Sequence, residues 1–174
     1  MQRVLQTNLL APMLLTRLLL PHLTQQARAQ VLCVGSALGR IGLPGYSLYS
    51  ASKFGLRGFA EALRRELAAT SVRVQYLGPR ATHTDFNDQQ VQAYNRATGA
   101  TVDQPAVVAA ALVRLLQDEA AERFLGFPEK LAVRINGLAP TWLDGSFGRH
   151  GRSLDLLVPD PSRPSPETPQ RMPT

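Results

Sequence analysis

The sequence predicts an α/β domain, and three observations carry that reading. Residues 30–35 are a short apolar run rich in β-branched residues, as expected of a buried strand of a parallel sheet, and residues 72–77 read as another strand. Between them, residues 46–69 repeat apolar side chains at helical spacing. Glycine and proline punctuate the junctions, at Gly39, Gly42, Pro44 and Gly45. With 174 residues, 44% of them hydrophobic, the chain is long enough for one domain with a sizeable core.

Taken in order, residues 2–20 read as a helix. Leu5, Leu9, Met13 and Leu20, flanked by Leu10, Leu14 and Leu18, give it a wide apolar face, and Pro12 kinks it or marks an irregular turn. After the strand at 30–35, the long helix at 46–69 places Leu56, Phe59, Leu63 and Leu67 on one stripe. The strand at 72–77 follows. Residues 80–103 are polar, a loop with a short helix around 88–97. Asp103-Gln104-Pro105-Ala106 reads as an N-cap with proline in the first turn of a helix running to about residue 119. Residues 123–127 form a last strand and residues 129–138 a helix, whereas residues 140–150 carry no clear pattern. The proline-rich stretch from residue 159 onward predicts disorder.

Composition narrows the function classes. The net charge of +6 comes almost entirely from arginine, since Lys53 and Lys130 are the two lysines. The charges are scattered rather than gathered in a basic stripe, which argues against nucleic-acid binding. A single cysteine, Cys33, sits in an apolar strand, allows no intrachain disulfide, and reads as a buried small hydrophobe in a reducing compartment. His22, His83 and His150 lack metal-ligand spacing, so no metal is expected. The apolar run from Leu9 to Leu20 is broken by Pro12 and Arg17 and is short for a membrane span. A cytoplasmic protein without a signal peptide is the expectation.

The chemistry concentrates at Tyr49-Ser50-Ala51-Ser52-Lys53, with Ser36 thirteen residues upstream. Tyr and Lys four residues apart share a helix face. A phenol titrates near pH ~10, and a neighbouring ammonium favours the phenolate, each tenfold gain in acidity being worth about 1.4 kcal/mol. A serine hydroxyl at a strand end is placed to hold a carbonyl oxygen against that phenol. Together the three groups form a proton-transfer site for carbonyl and alcohol chemistry. Ser36 as a hydrolytic nucleophile is disfavoured, because Val34 and Leu38 stand where a nucleophile elbow needs glycine. Gly35, Gly39 and Gly42 lack the Gly-x-Gly-x-x-Gly spacing and read as loop flexibility at a substrate pocket, without a phosphate role.

Four blocks extend this signature. They are Thr7-Asn8-Leu9-Leu10-Ala11-Pro12 with Leu20-Pro21-His22-Leu23, then Val31-Leu32-Cys33-Val34-Gly35-Ser36-Ala37-Leu38-Gly39. Tyr49-Ser50-Ala51-Ser52-Lys53-Phe54-Gly55-Leu56 and Arg73-Val74-Gln75-Tyr76-Leu77-Gly78-Pro79 complete the set. In this order they resemble the classical short-chain dehydrogenase/reductase family, over roughly residues 1–140. The resemblance implies a Rossmann-type doubly wound parallel sheet and an NAD- or NADP-dependent oxidoreductase acting on a small carbonyl or secondary alcohol. It implies Tyr49 as general acid/base, and Lys53 as the group that lowers the Tyr49 pKa and bonds the nicotinamide ribose. By the same resemblance Ser36 orients the substrate carbonyl, while Asn8 bends its helix and holds a proton-relay water. Pro79 and Thr84 match a Pro-Gly-x-(Val/Ile)-x-Thr cofactor loop, with Thr84 facing the nicotinamide carboxamide. Arg80 and Thr82 depart from that pattern, and Arg80 adopts positive φ less freely than glycine.

The family's first half, with its glycine-rich pyrophosphate turn and the residue that chooses NAD or NADP, has no counterpart here. About three βα units of ~30 residues are missing. The expectation is therefore a truncated doubly wound sheet, with residues 1–155 as the C-terminal half of such a domain and residues 156–174 as a disordered proline-rich tail. Only the nicotinamide end of a cofactor site is expected, and weak or no activity for the chain alone. The alternative is a non-catalytic interaction module. The resemblance implies homodimer or homo-oligomer formation through the helices at residues 2–20 and 46–69.

Overall fold

A computed structural model describes residues 2–84, 87 and 89–157. The stretch from residue 159 that the sequence predicts to be disordered lies outside the described residues. The elements are α1 (Gln2–Leu23), β1 (Ala29–Val34), α2 (Ser47–Glu66), β2 (Val72–Gly78), α3 (Gln89–Thr98), α4 (Pro105–Gln117), β3 (Glu122–Phe124), α5 (Glu129–Leu138) and α6 (Gly148–Arg152). The three described strands form one parallel sheet in the order β1-β2-β3, with Ala29 opposite Val72 and Gly78 opposite Phe124. Residues 140–150, which carry no sequence pattern, form a 3-10 stretch, Pro140–Phe147, leading into α6.

The sheet is covered on both faces, as its apolar strands require. On one face Cys33, Val72, Val74 and Tyr76 pack with Leu56, Ala60 and Leu63 of α2 and Val133 of α5. On the other, Leu77 meets Leu115 of α4, with Leu32, Val108 and Leu112 around them. Gln75 is 1% exposed on that second face. Its amide donates to the carbonyls of Leu115 (2.6 Å) and Ala120 (3.0 Å), and Gln30 donates to the Leu116 carbonyl (2.9 Å). The bonds to Leu115 and Leu116 satisfy carbonyls that the end of α4 leaves without intrahelical partners. Cys33 is buried, and burial pushes its thiol up to about 11.

α1 is longer than the sequence predicts and irregular at a different place. Gln6–Leu10 is a π-helical turn in which the Ala11 N–H bonds the Gln6 carbonyl. The cause is Pro12, which has no N–H for the Asn8 carbonyl and whose ring crowds it; the ladder widens one turn earlier. Gly55 of α2 lets the two helices approach, since a Cβ there would stand 2.9 Å from Leu9 Cδ2. At 22 residues with mean hydropathy 1.2, α1 is longer than the apolar run between Leu9 and Leu20 and meets the length and composition of a membrane-crossing helix. One such helix is weak grounds for a span, because helices of soluble domains share those properties. Along it Leu10, Leu14, Leu15, Leu18 and Leu19 are exposed, Leu18 at 78%.

Candidate active site

Ser36 and Tyr49 meet where β1 ends and α2 begins. Ser36 follows the strand in an extended conformation and caps the 3-10 turn Ala37–Gly39, its Oγ accepting the Leu38 N–H at 3.1 Å. That bond leaves the Ser36 O–H free to donate, and the hydroxyl lies near enough to the Tyr49 phenol to lower its pKa. Tyr49 lies in the first turn of α2, and Lys53, one turn on, places Nζ 5.5 Å from the centre of the Tyr49 ring.

The electrostatics differ from the sequence reading. The Tyr49 pKa is pushed up by burial, partly offset by the Ser36 hydroxyl, rather than drawn down by Lys53. Burial also lowers the Lys53 pKa. The physical reason is that the ammonium sits over the ring while desolvation penalises both charged forms. As it stands the site holds a neutral phenol suited to donating a proton.

Asn8 joins this cluster through α2. Its Nδ2 donates to Ser52 Oγ (3.4 Å), and the Ser52 hydroxyl donates to the Tyr49 carbonyl (2.6 Å). Ser52 is fully buried, so Asn8 in its π-turn is tied to the backbone that carries the phenol. Pro79 touches the same loop, its carbonyl accepting the Ala37 N–H at 2.8 Å. Thr84 is exposed, on a cavity of about 200 Å³ lined by His83, Asn87, Asn95 and Arg96. No described hydrogen bond or ion pair links it to Tyr49, Lys53 or Ser36. A larger cavity of about 600 Å³, between Arg40, Phe124, Arg134 and Leu138, is lined by none of the candidate residues.

Two findings escaped the sequence reading. Arg80 needs no left-handed backbone, because Glu119 is the only described non-glycine residue with positive φ. Instead its guanidinium forms a two-pronged pair with Asp103 (3.0 and 2.7 Å) and reaches Glu129 (3.3 Å). Asp103, which the sequence reads into an N-cap, serves this pair and leaves α4 without a side-chain cap. The other finding is Tyr76, whose phenol accepts the Ser36 N–H (3.0 Å) and donates to the Ser36 carbonyl (2.9 Å). A Cβ on Gly35 or Gly39 would overlap that phenol, so these glycines make room for Tyr76 and do not loosen the loop. Around the loop Tyr46 packs edge-on against Tyr49 and Tyr94, and Tyr94 and Phe147 pack against His150.

Of the residues that the family resemblance assigns to a nicotinamide and its ribose, Tyr49 and Lys53 lie together on α2, and Thr84 lies on a separate cavity. Gly35 and Gly39 after β1 are filled by Tyr76, so they offer no cradle for a pyrophosphate. Among the described residues no other glycine-rich turn precedes a helix at a strand end.

Comparison with known proteins agrees with this architecture. A family model described as short chain dehydrogenase matches residues 1–95. A 3-oxoacyl-[acyl-carrier-protein] reductase of Bos taurus is 45% identical over 82 residues, 47% of this chain and 35% of that protein. The ketoacyl reductase HetN of Nostoc sp. is 30% identical over 161 residues, 82% of this chain and 52% of that protein. The chain thus spans about half or less of the curated relatives it matches. Among solved structures, a short chain dehydrogenase from Burkholderia cenocepacia in complex with NADP matches with TM-score 0.67 at 23% identity, over 83% of this chain and 57% of that one. One from Streptomyces avermitilis matches with TM-score 0.64 at 23% identity, covering 85% and 64%. These structures establish the Rossmann-like fold.

Proposed function

Because the chain belongs to the short chain dehydrogenase family, we propose that it derives from, and retains the proton-transfer end of, an NAD(P)-dependent reductase of carbonyls and secondary alcohols. The observation that carries this reading is the grouping of the Ser36 hydroxyl, the Tyr49 phenol and Lys53, whose Nζ stands 5.5 Å from the Tyr49 ring centre. The nicotinamide, when bound, supplies the hydride. The chain's own groups handle the proton. A substrate carbonyl oxygen takes the hydrogen bond of Ser36 and receives the proton from Tyr49 Oη as negative charge develops on it. The phenol's raised pKa keeps it protonated until then. The positive charge of Lys53 stabilises the phenolate left behind, and Asn8, through Ser52, holds the Tyr49 backbone. Pro79 and Thr84 flank the nicotinamide in this reading. Similarity to a protein named 3-oxoacyl-[acyl-carrier-protein] reductase supports testing 3-oxoacyl thioesters first.

The test follows oxidation of NADH and NADPH with 3-oxoacyl thioesters, ketones and aldehydes. Turnover is expected to be slow, since the described residues hold no pyrophosphate cradle. Tyr49→Phe should lower it by a further 10²–10⁴-fold. A Tyr49→Phe protein as active as the parent removes the assignment.

A second reading has its own support in the exposed leucines of α1. In it the chain is a non-catalytic module that associates through α1 and α2. Dimers in analytical ultracentrifugation that Leu14→Gln/Leu18→Gln disperses, with no heat of NADPH binding in calorimetry, would favour this reading over the first.

A further inference from the structure

Ser36 occupies an awkward stretch of backbone. It sits past the last residue of β1 and before the turn at Ala37–Gly39, with φ −163° and ψ 162°. Its neighbours remain tied to β2, Gly35 N–H bonding the Leu77 carbonyl and Ala37 N–H that of Pro79, both at 2.8 Å. The Ser36 N–H between them is bonded by the Tyr76 phenol. The same oxygen returns its own hydrogen to the Ser36 carbonyl, so one hydroxyl grips both polar groups of one peptide residue. Tyr76 is 2% exposed and wedged against Phe124, which leaves its ring little freedom.

We propose that Tyr76 is a positioning residue that locks the Ser36 backbone and thereby keeps the Ser36 hydroxyl on the Tyr49 phenol, with Gly35 and Gly39 as the vacancies that admit it. This rests on the reading of Ser36 and Tyr49 as the pair that holds and protonates a substrate oxygen. The direction of Ser36 Oγ follows from the φ and ψ of Ser36. A peptide unit at a strand end without a partner for its N–H is free to rotate, and a modest rotation swings Oγ away from Tyr49. Burial pushes the Tyr76 phenol up to about 12, so it remains a donor across the pH range of the reaction. Its strand position sets it apart from Tyr46, at the start of α2, and Tyr94, in α3.

The test uses the whole chain with ¹³C at tyrosine Cζ and amide hydrogen exchange. In the parent, the Ser36 amide should exchange as slowly as the ladder amide of Gly35. Tyr76→Phe keeps the ring and removes both bonds. It should speed Ser36 exchange about ten-fold or more, leave the β2 amides unchanged, and move the Tyr49 titration upward. Ser36→Ala should produce the same upward movement, since it too removes the hydroxyl from Tyr49. In an active protein Tyr76→Phe should lower kcat about ten-fold with KM little altered. Unchanged Ser36 exchange and Tyr49 titration in Tyr76→Phe would overturn the proposal, as would unchanged kcat in an active protein. Should Tyr76→Phe not fold, the parent decides alone: a Ser36 amide exchanging like an exposed loop ends the proposal. Absence of turnover in the parent counts against the proposed function, while the exchange and titration still judge the lock.

Discussion

Two ties hold the loops that follow adjacent strands, and they are built from opposite materials. After β1, Tyr76 grips Ser36 with a neutral hydroxyl buried beneath two glycines. After β2, Arg80 grips Asp103 and Glu129 with charges, its side chain 16% exposed and that of Asp103 11%. Asp103 also pairs its backbone with the same loop, through Asp103 N–H to the Ala81 carbonyl and His83 N–H to the Asp103 carbonyl, both 2.8 Å. The first tie depends on shape and desolvation, the second on Coulomb attraction near water. A neutral buried bond is indifferent to salt, whereas an ion pair at the rim is screened over about 8–10 Å. The loop after β1 carries Ser36, and the loop after β2 carries Pro79 and Thr84, which the proposed function sets on the nicotinamide side.

The largest effect should come from filling a vacancy beneath the first tie. Gly35→Ala is expected to cost about 3 kcal/mol, because the new methyl overlaps the Tyr76 phenol and β2 cannot retreat. Urea unfolding measures this, and Gly35→Ala/Tyr76→Val should cost clearly less than the sum of the single changes. Next comes Arg80→Gly, which restores the residue of the family loop and leaves Asp103 and Glu129 unpaired. A loss of about 2 kcal/mol is expected. The gap between parent and variant should narrow in 1 M NaCl, while the Gly35→Ala gap stays constant. Equal salt responses would erase the distinction between the two ties.

The smallest effect concerns His150, whose ring packs against Tyr94 and Phe147. Burial, and then the charge of Arg149, lower its pKa below the ordinary imidazole value. The folded state therefore favours the neutral ring. Its contribution is complete above pH ~6.5 and is lost as pH falls through the lower folded value. Thermal melts from pH 8 to 4 should show a shallower acid limb in His150→Phe than in the parent.

Much of the fold and some of the site were legible in the sequence. The stretches read as strands at 30–35 and 72–77 became β1 and β2 within a residue, the first because a buried strand leaves a nearly continuous apolar run. Ser36, Tyr49, Lys53 and Asn8 converge through local elements, a strand end, one turn of α2 and a helix packed on it. Tyr76 was not legible, since an aromatic at an inward position of a strand reads as core whether or not its hydroxyl has a task. The Arg80–Asp103 pair was hidden by its separation along the chain and by the resemblance of Asp103 to a cap. Nothing in residues 140–157 announced that Leu154 and Leu157 would close over Gly45. The pKa of Tyr49 turned on burial, which spacing does not encode.

The burial of Cys33 gives this molecule an internal clock. As the single thiol of the chain, lodged in β1 beneath the helices and resistant to ionisation, it meets an alkylating reagent only when that layer parts. The labelling rate at neutral pH thus counts openings of the sheet. Read beside the urea curves of the glycine variants, it separates breathing of the layer from collapse of the whole.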